Sequence, residues 1–286
     1  MALIALASAK GAPGVTTAAL AVGALWPRPV LVAECDPSGA DIAIRMPRDD
    51  GGSLDPQTGL LSLAAAGRRS LHPGLVDEHT QRVLGGLEIL AGPQFPEQSG
   101  GLAQAWSQLG PLLSRMPQHD VVADLGRIGA LTPQNALLAS ADAVVLLVDT
   151  APSSVVHLRH RLRPVADIVG GAYGAPVHVA VVAPPKRTQV VREIRDALVA
   201  TDVELAGVHH LAYDERGAHL FQGQTHPRPD KLALIRSAGP LVGELAAAVA
   251  HVSPVPVDAE ISEQSAYPAS DEQGPSVPGL WSEVQR

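Results

Sequence analysis

The stretch from Met1 to Thr17, MALIALASAKGAPGVTT, constrains this chain more than any other. Leu3, Ile4, Ala5, Leu6 and Ala7 read as a buried strand, and Lys10-Gly11-Ala12-Pro13-Gly14-Val15 as a tight loop. Thr16 and Thr17 open an Ala/Leu-rich segment that reads as a helix to Leu25, ending before Trp26-Pro27 as helices do ahead of proline. A strand, a glycine-containing loop and a helix start aim successive backbone N–H groups and the positive end of a helix dipole at one point. That is how a fold cradles a phosphate.

The next apolar run, Pro29 to Glu34, reads as a second strand and ends in Cys35-Asp36-Pro37-Ser38-Gly39. Strand, helix and strand of this length imply a parallel sheet with a right-handed crossover. Asp36 then lies at the carboxyl end of the strand beside the loop, where parallel sheets bind ligands; a turn-capping aspartate is the plainer alternative. A third apolar run, Asp120 to Gly126, ends in the acid Asp124.

These motifs resemble the deviant Walker A, the following Asp-Pro-small-Gly and the Walker B motifs of the ParA/MinD family, in the same order. The family's loop is K-G-G-x-G-K-[ST]-[ST]; here Ala12 replaces the second glycine and Val15 the P-loop lysine. The resemblance implies a doubly wound α/β P-loop domain over residues 1 to 252, with a mainly parallel sheet. It implies that Lys10, Gly11, Ala12, Pro13, Gly14, Val15, Thr16 and Thr17 hold ATP or ADP, and that Lys10 reaches across a nucleotide-sandwich homodimer to the partner's phosphates. It implies that Thr16, Asp36 and Asp124 hold Mg2+, Asp36 also orienting the attacking water. Asp214, in LAYDERGAHLFQGQ, matches an acid near the nucleotide base, although Ala212 replaces the family's proline there. The Asn-Arg that reads adenine is absent, because the strand Val177 to Val182 runs into Ala183-Pro184-Pro185-Lys186-Arg187.

Further apolar strands are expected at 143–149 and 207–211, and helices at 59–65, 102–116, 190–199 and 235–252. The segment 75–95 suggests a hairpin or strand ending at Ala91-Gly92-Pro93, a layout resembling the TadZ/CpaE-like pilus-assembly branch of the family. Arg159, Arg161 and Arg163 lie on a helix as either a solvated face or a partner-binding patch. No His/Cys ligand spacing and no Ser/His/Asp constellation stands out.

Composition narrows the functions. Acids exceed bases by 29 to 21, so nucleic acid is not an expected partner through a global field. The single cysteine, Cys35, excludes an intrachain disulfide and fits a cytoplasmic setting. No run is long enough to span a bilayer. Residues 253 to 286 are acidic and rich in Pro, Ser, Glu and Gln. They are expected to be a disordered tail, with Leu280-Trp281 as a possible linear motif. That acidity argues against membrane insertion by a basic amphipathic end. The expected function is an ATP-binding, dimerising switch or scaffold that positions a protein partner or membrane-associated assembly, with hydrolysis weak or absent because of Val15. The alternatives are a slow ParA/MinD-type ATPase in DNA or cell-site partitioning, and a pseudo-ATPase that acts only as an interaction scaffold.

Overall fold

A computed structural model describes residues 1–11 and 14–250. Ala12, Pro13 and the acidic tail therefore lie outside the described residues. The strands are β1 (Leu3–Ser8), β2 (Val30–Glu34), β3 (Gln81–Arg82), β4 (Glu88–Leu90), β5 (Asp120–Arg127), β6 (Ala143–Asp149), β7 (Val177–Ala183) and β8 (Gly207–Ala212). The helices are α1 (Val15–Leu25), α2 (Ile42–Arg45), α3 (Leu60–Ala66), α4 (Pro73–Val76), α5 (Trp106–Leu113), α6 (Asn135–Leu138), α7 (Pro152–Ile168), α8 (Val190–Leu198), α9 (Glu215–Leu220) and α10 (Ala233–Ala248).

The strands form one sheet in the order β3-β4-β2-β5-β1-β6-β7-β8. Every neighbouring pair is parallel except β3 with β4. The central strands are apolar along their whole length because helices cover both sides. Along β1 the side chains alternate between two cores. Leu3, Ala5 and Ala7 pack with Leu63, Leu109, Leu137, Leu162 and Ile194 from α3 and α5–α8, whereas Ile4 and Leu6 pack with Leu20, Val22 and Leu241 from α1 and α10. Helix α8 shows the matching helical period, burying Val190, Ile194 and Leu198.

From β1 the chain crosses by α1 to β2 on one side; from β5 it proceeds to β6 on the other. The loops leaving β1 and β5 thus flank the point where the winding reverses, the place where open α/β sheets bind ligands. At the opposite end of the sheet, buried Asp120 accepts hydrogen bonds from Ala2 N and Trp26 Nε1, both at 2.8 Å, and from Arg28 Nε at 2.6 Å.

The expected hairpin is present as β3–β4, turning at Gly85 and Gly86. The helix expected over 102–116 is shorter: Pro96–Leu102 is a 3-10 helix, a turn follows, and only Trp106–Leu113 is α-helical. The Gly100-Gly101 pair weakens its amino end, and Pro117 after Met116 ends what remains. The last helix runs Ala233–Ala248 rather than 235–252.

Candidate nucleotide site

Gly14 caps α1 in a left-handed conformation, φ 93°, which turns the chain from loop to helix. Lys10, Gly11 and Gly14 are exposed and Thr16 and Thr17 half-buried. Val15 is 6 % exposed and belongs to the core beside α1. Its side chain packs rather than reaching a ligand.

Asp124 is fully buried between β1 and β2, in register with Leu6 on one side and Glu34 on the other. Its Oδ1 accepts the Gly126 N–H at 2.9 Å. Burial raises its pKa to about 6, against the opposing pull of the Thr16 hydroxyl and the Gly126 N–H; Asp36 raises it further and Arg45 lowers it. Yet Oδ2 has no hydrogen-bond partner among the described residues. An orphaned, buried carboxylate oxygen beside a threonine hydroxyl fits a hard cation with oxygen ligands such as Mg2+.

Asp36 leaves the carboxyl end of β2, and its Oδ1 accepts the Ser38 N–H at 2.8 Å. It packs against Gly126, where β5 bulges out of register with β1 and φ is +57°. A Cβ at Gly126 would overlap the Asp36 carboxylate. The bulge therefore brings the two acids together, a common use of bulges beside sites.

Two residues at this site carry no sequence motif. Glu34 is buried, and its carboxylate accepts N–H groups of Asp41 at 2.7 Å, Ile42 at 3.1 Å and Gly92 at 3.3 Å. Burial lifts its pKa from 4.5 to about 7, with Asp124 adding to the rise against the three N–H groups. Arg45, at the end of α2, buries its Nε and Nη2 without hydrogen-bond partners among the described residues. Its charge acts on Asp124. Nothing local marks either one: Glu34 closes an apolar strand, and Arg45 acts on Asp124 only through the fold.

Beside the loop lies a cavity of about 240 Å3 lined by Gly14, Thr17, Val182, Tyr213, Asp214 and Leu234 among others. Its walls mix apolar side chains such as Ala18, Val182 and Leu211 with polar ones such as Thr17, Glu215 and His219. Asp214 thus lies on the same cavity as the loop, with Oδ2 accepting the Leu234 N–H at 3.2 Å. A larger groove of about 690 Å3 lies along the other half of α1, between Leu20, Met46, Val83 and Phe221, away from the acids. On α7, Arg159 and Arg163 are exposed, and Arg163 pairs with Asp167 at 3.0 Å.

No protein-family model matches the sequence, and no curated protein does. Solved structures do resemble it. A ParA family ATPase from Chlorobium tepidum TLS superposes with a TM-score of 0.65 at 15% identity, over 84% of this chain and 98% of that one. MinD from Pyrococcus horikoshii OT3, complexed with Mg-ADP, gives 0.62 at 16% identity, over 88% and 98%. Cobyrinic acid a,c-diamide synthase from Mycobacterium smegmatis, with bound ATP analogue and magnesium, gives 0.60 at 17% identity, over 90% and 98%. The chain has the fold of the ParA/MinD ATPases.

Proposed function

We propose that this chain is an ATP-binding, dimerising switch that positions another cellular assembly, with hydrolysis slow or absent. The observation that carries this reading is the convergence of four features at the winding reversal: the α1 amino terminus, Thr16, the orphaned Oδ2 of Asp124, and a cavity of base size beside Gly14. Two neighbours of the same fold hold Mg-ADP and an ATP analogue with magnesium.

In this reading the α1 N–H groups and Thr17 face the phosphates, and the cavity ending at Asp214 receives the base. Thr16, Asp36 and Asp124 hold Mg2+, which would neutralise phosphate charge when bound. Asp124, raised to about 6 by burial, ionises fully once a cation offsets its desolvation. Val15 offers neither charge nor donor at the lysine position. A charged hydrogen bond contributes about 1.5 to 3 kcal/mol, so its absence lowers affinity by roughly 10- to 150-fold and weakens transition-state stabilisation. The charge of Arg45, which acts on Asp124, adds positive potential beside the acids. Exposed Lys10 remains for a partner's phosphates.

The test is calorimetric titration of the protein with magnesium-ATP and magnesium-ADP, repeated on Val15→Lys and Lys10→Ala. Binding by the parent that Lys10→Ala weakens is expected. No binding by the parent, rescued by Val15→Lys, would replace the switch with a scaffold that kept the cradle and gave up the ligand.

A further inference from the structure

Three side chains that sequence spacing does not connect meet at the far edge of the sheet, on β7, β8 and α10. His178 lies opposite Gly207 in the β7–β8 register, and His209 opposite Ala180, so the two imidazoles are diagonal neighbours on one face. Helix α10 crosses β8 on that face and brings Glu244 to them. His178 Nδ1 is 3.2 Å from His209 Nε2, and His209 Nε2 is 3.4 Å from Glu244 Oε2.

Hydrogen bonding alone serves this arrangement badly. One nitrogen, His209 Nε2, faces both the His178 nitrogen and the Glu244 oxygen, and it has either one lone pair or one proton to offer. A metal ion meets the three converging atoms at once. Ligands around a tetrahedral zinc ion with bonds of 2.0–2.1 Å stand about 3.3 Å apart, and the two separations above bracket that value. One potential ligand atom from each residue lies within 4.8 Å of the others.

We propose that His178, His209 and Glu244 form a binding site for a zinc-like divalent transition-metal ion. Two imidazoles and one carboxylate are the donors of such ions rather than of Mg2+ or Ca2+, which take oxygen. Three protein ligands leave a fourth position, and Glu244, 55 % exposed in its side chain, opens it to solvent. Gly207 keeps the space clear: a Cβ there would overlap His209 Nε2 and crowd Glu244 Oε2. Burial holds both imidazoles below their ordinary pKa, opposed by the Glu244 carboxylate; the Arg195 guanidinium lowers His209 further. The ion ties α10 to the edge strand β8 and to β7 beside it. The cavity beside the P-loop lies towards the other end of β8 and of α10. The site stands whether or not that cavity takes a nucleotide.

The experiment uses the full chain with any affinity tag removed, stripped of metal by a chelator. Zinc is titrated against a chromophoric indicator, and cobalt is followed by the visible bands of tetrahedral coordination. The parent is expected to bind one equivalent, show those bands, and melt at a higher temperature with zinc. Glu244→Gln alters an exposed residue and is expected to melt like the parent without metal, yet to bind zinc at least about tenfold more weakly; His209→Gln is expected to abolish the cobalt bands. Failure of the parent to bind zinc overturns the proposal. So does equal binding by parent and both variants, which would assign the metal to other histidines, and so does a melting temperature that zinc does not move.

Discussion

Burial makes Glu34 an acid whose charge the fold resists. Its pKa rises from an ordinary 4.5 to about 7, so between those values the folded chain holds a proton that the unfolded chain has released. Stability from this group is intact below pH 4.5 and is lost as pH rises to 7, by roughly 3 kcal/mol in all. Denaturant unfolding of the parent and Glu34→Gln at pH 5 and pH 7.5 checks this: the variant is expected to lose less stability between the two conditions. An equal loss in both would remove Glu34 as the cause. Arg45 carries the complementary prediction. Its buried, unpartnered nitrogens give a cation to a site whose lysine is Val15, so Arg45→Ala is expected to weaken magnesium-ATP binding about tenfold or more while Arg45→Lys retains most of it. Calorimetry with both variants decides; unchanged affinity in Arg45→Ala would leave the guanidinium without that role. Neither residue was legible as functional in the sequence. Glu34 hides in an apolar strand, and Arg45 reaches Asp124 through the fold alone. Asp36 and Asp214 stood out as candidates because each follows the end of a strand, and Asp124 because an acid interrupts the apolar run of β5.

At the scale of elements, β5 shows how a backbone irregularity serves two acids. The register shift against β1 falls where Gly126 takes φ +57°, which sets the Asp36 carboxylate against the strand that carries Asp124. Gly126→Ala puts a Cβ into that carboxylate and strains the backbone as well. It is expected to cost roughly 1–2 kcal/mol in urea unfolding and to weaken magnesium-dependent nucleotide binding with it. A stable variant with parental affinity would mean that Asp36 relaxes freely and that the bulge does not position it. Most elements were legible because buried parallel strands are unbroken apolar runs, as at Ala143–Asp149 and Val177–Ala183. The helix at 102–116 was overcalled because Leu102, Trp106, Leu109 and Leu113 keep a helical spacing while the backbone around Leu102 is a 3-10 turn. Burial of one stripe does not require one continuous helix. The His178–His209–Glu244 cluster was invisible for a related reason: its two histidines lie 31 residues apart, and only strand pairing makes them neighbours.

For the whole molecule, the carboxyl ends of the strands form the face that carries the proposed nucleotide site. Phe95 follows β4, Leu131 follows β5, Val156 is in the first turns of α7 after β6, and Tyr213 follows β8; all four are exposed, Leu131 at 97 %. Lys10 stands exposed on the same face. Large apolar side chains around a charged loop suit a surface that another protein covers, and a second copy of this chain brings a second Lys10 to the first copy's phosphates. Sedimentation with a slowly hydrolysed ATP analogue and magnesium is therefore expected to show a dimer that the nucleotide-free protein does not form. Leu131→Asp is expected to shift that equilibrium towards monomer without changing nucleotide affinity in the monomer, whereas Lys10→Ala lowers both the dimer fraction and the apparent affinity. The difference between the variants matters because binding and association are linked: any ligand held by both copies is held more tightly by the dimer. If the analogue binds and no dimer forms at any accessible concentration, the loop works within one copy. Lys10 then has no phosphate across an interface to reach, and a nucleotide-controlled pairing is lost as the switch.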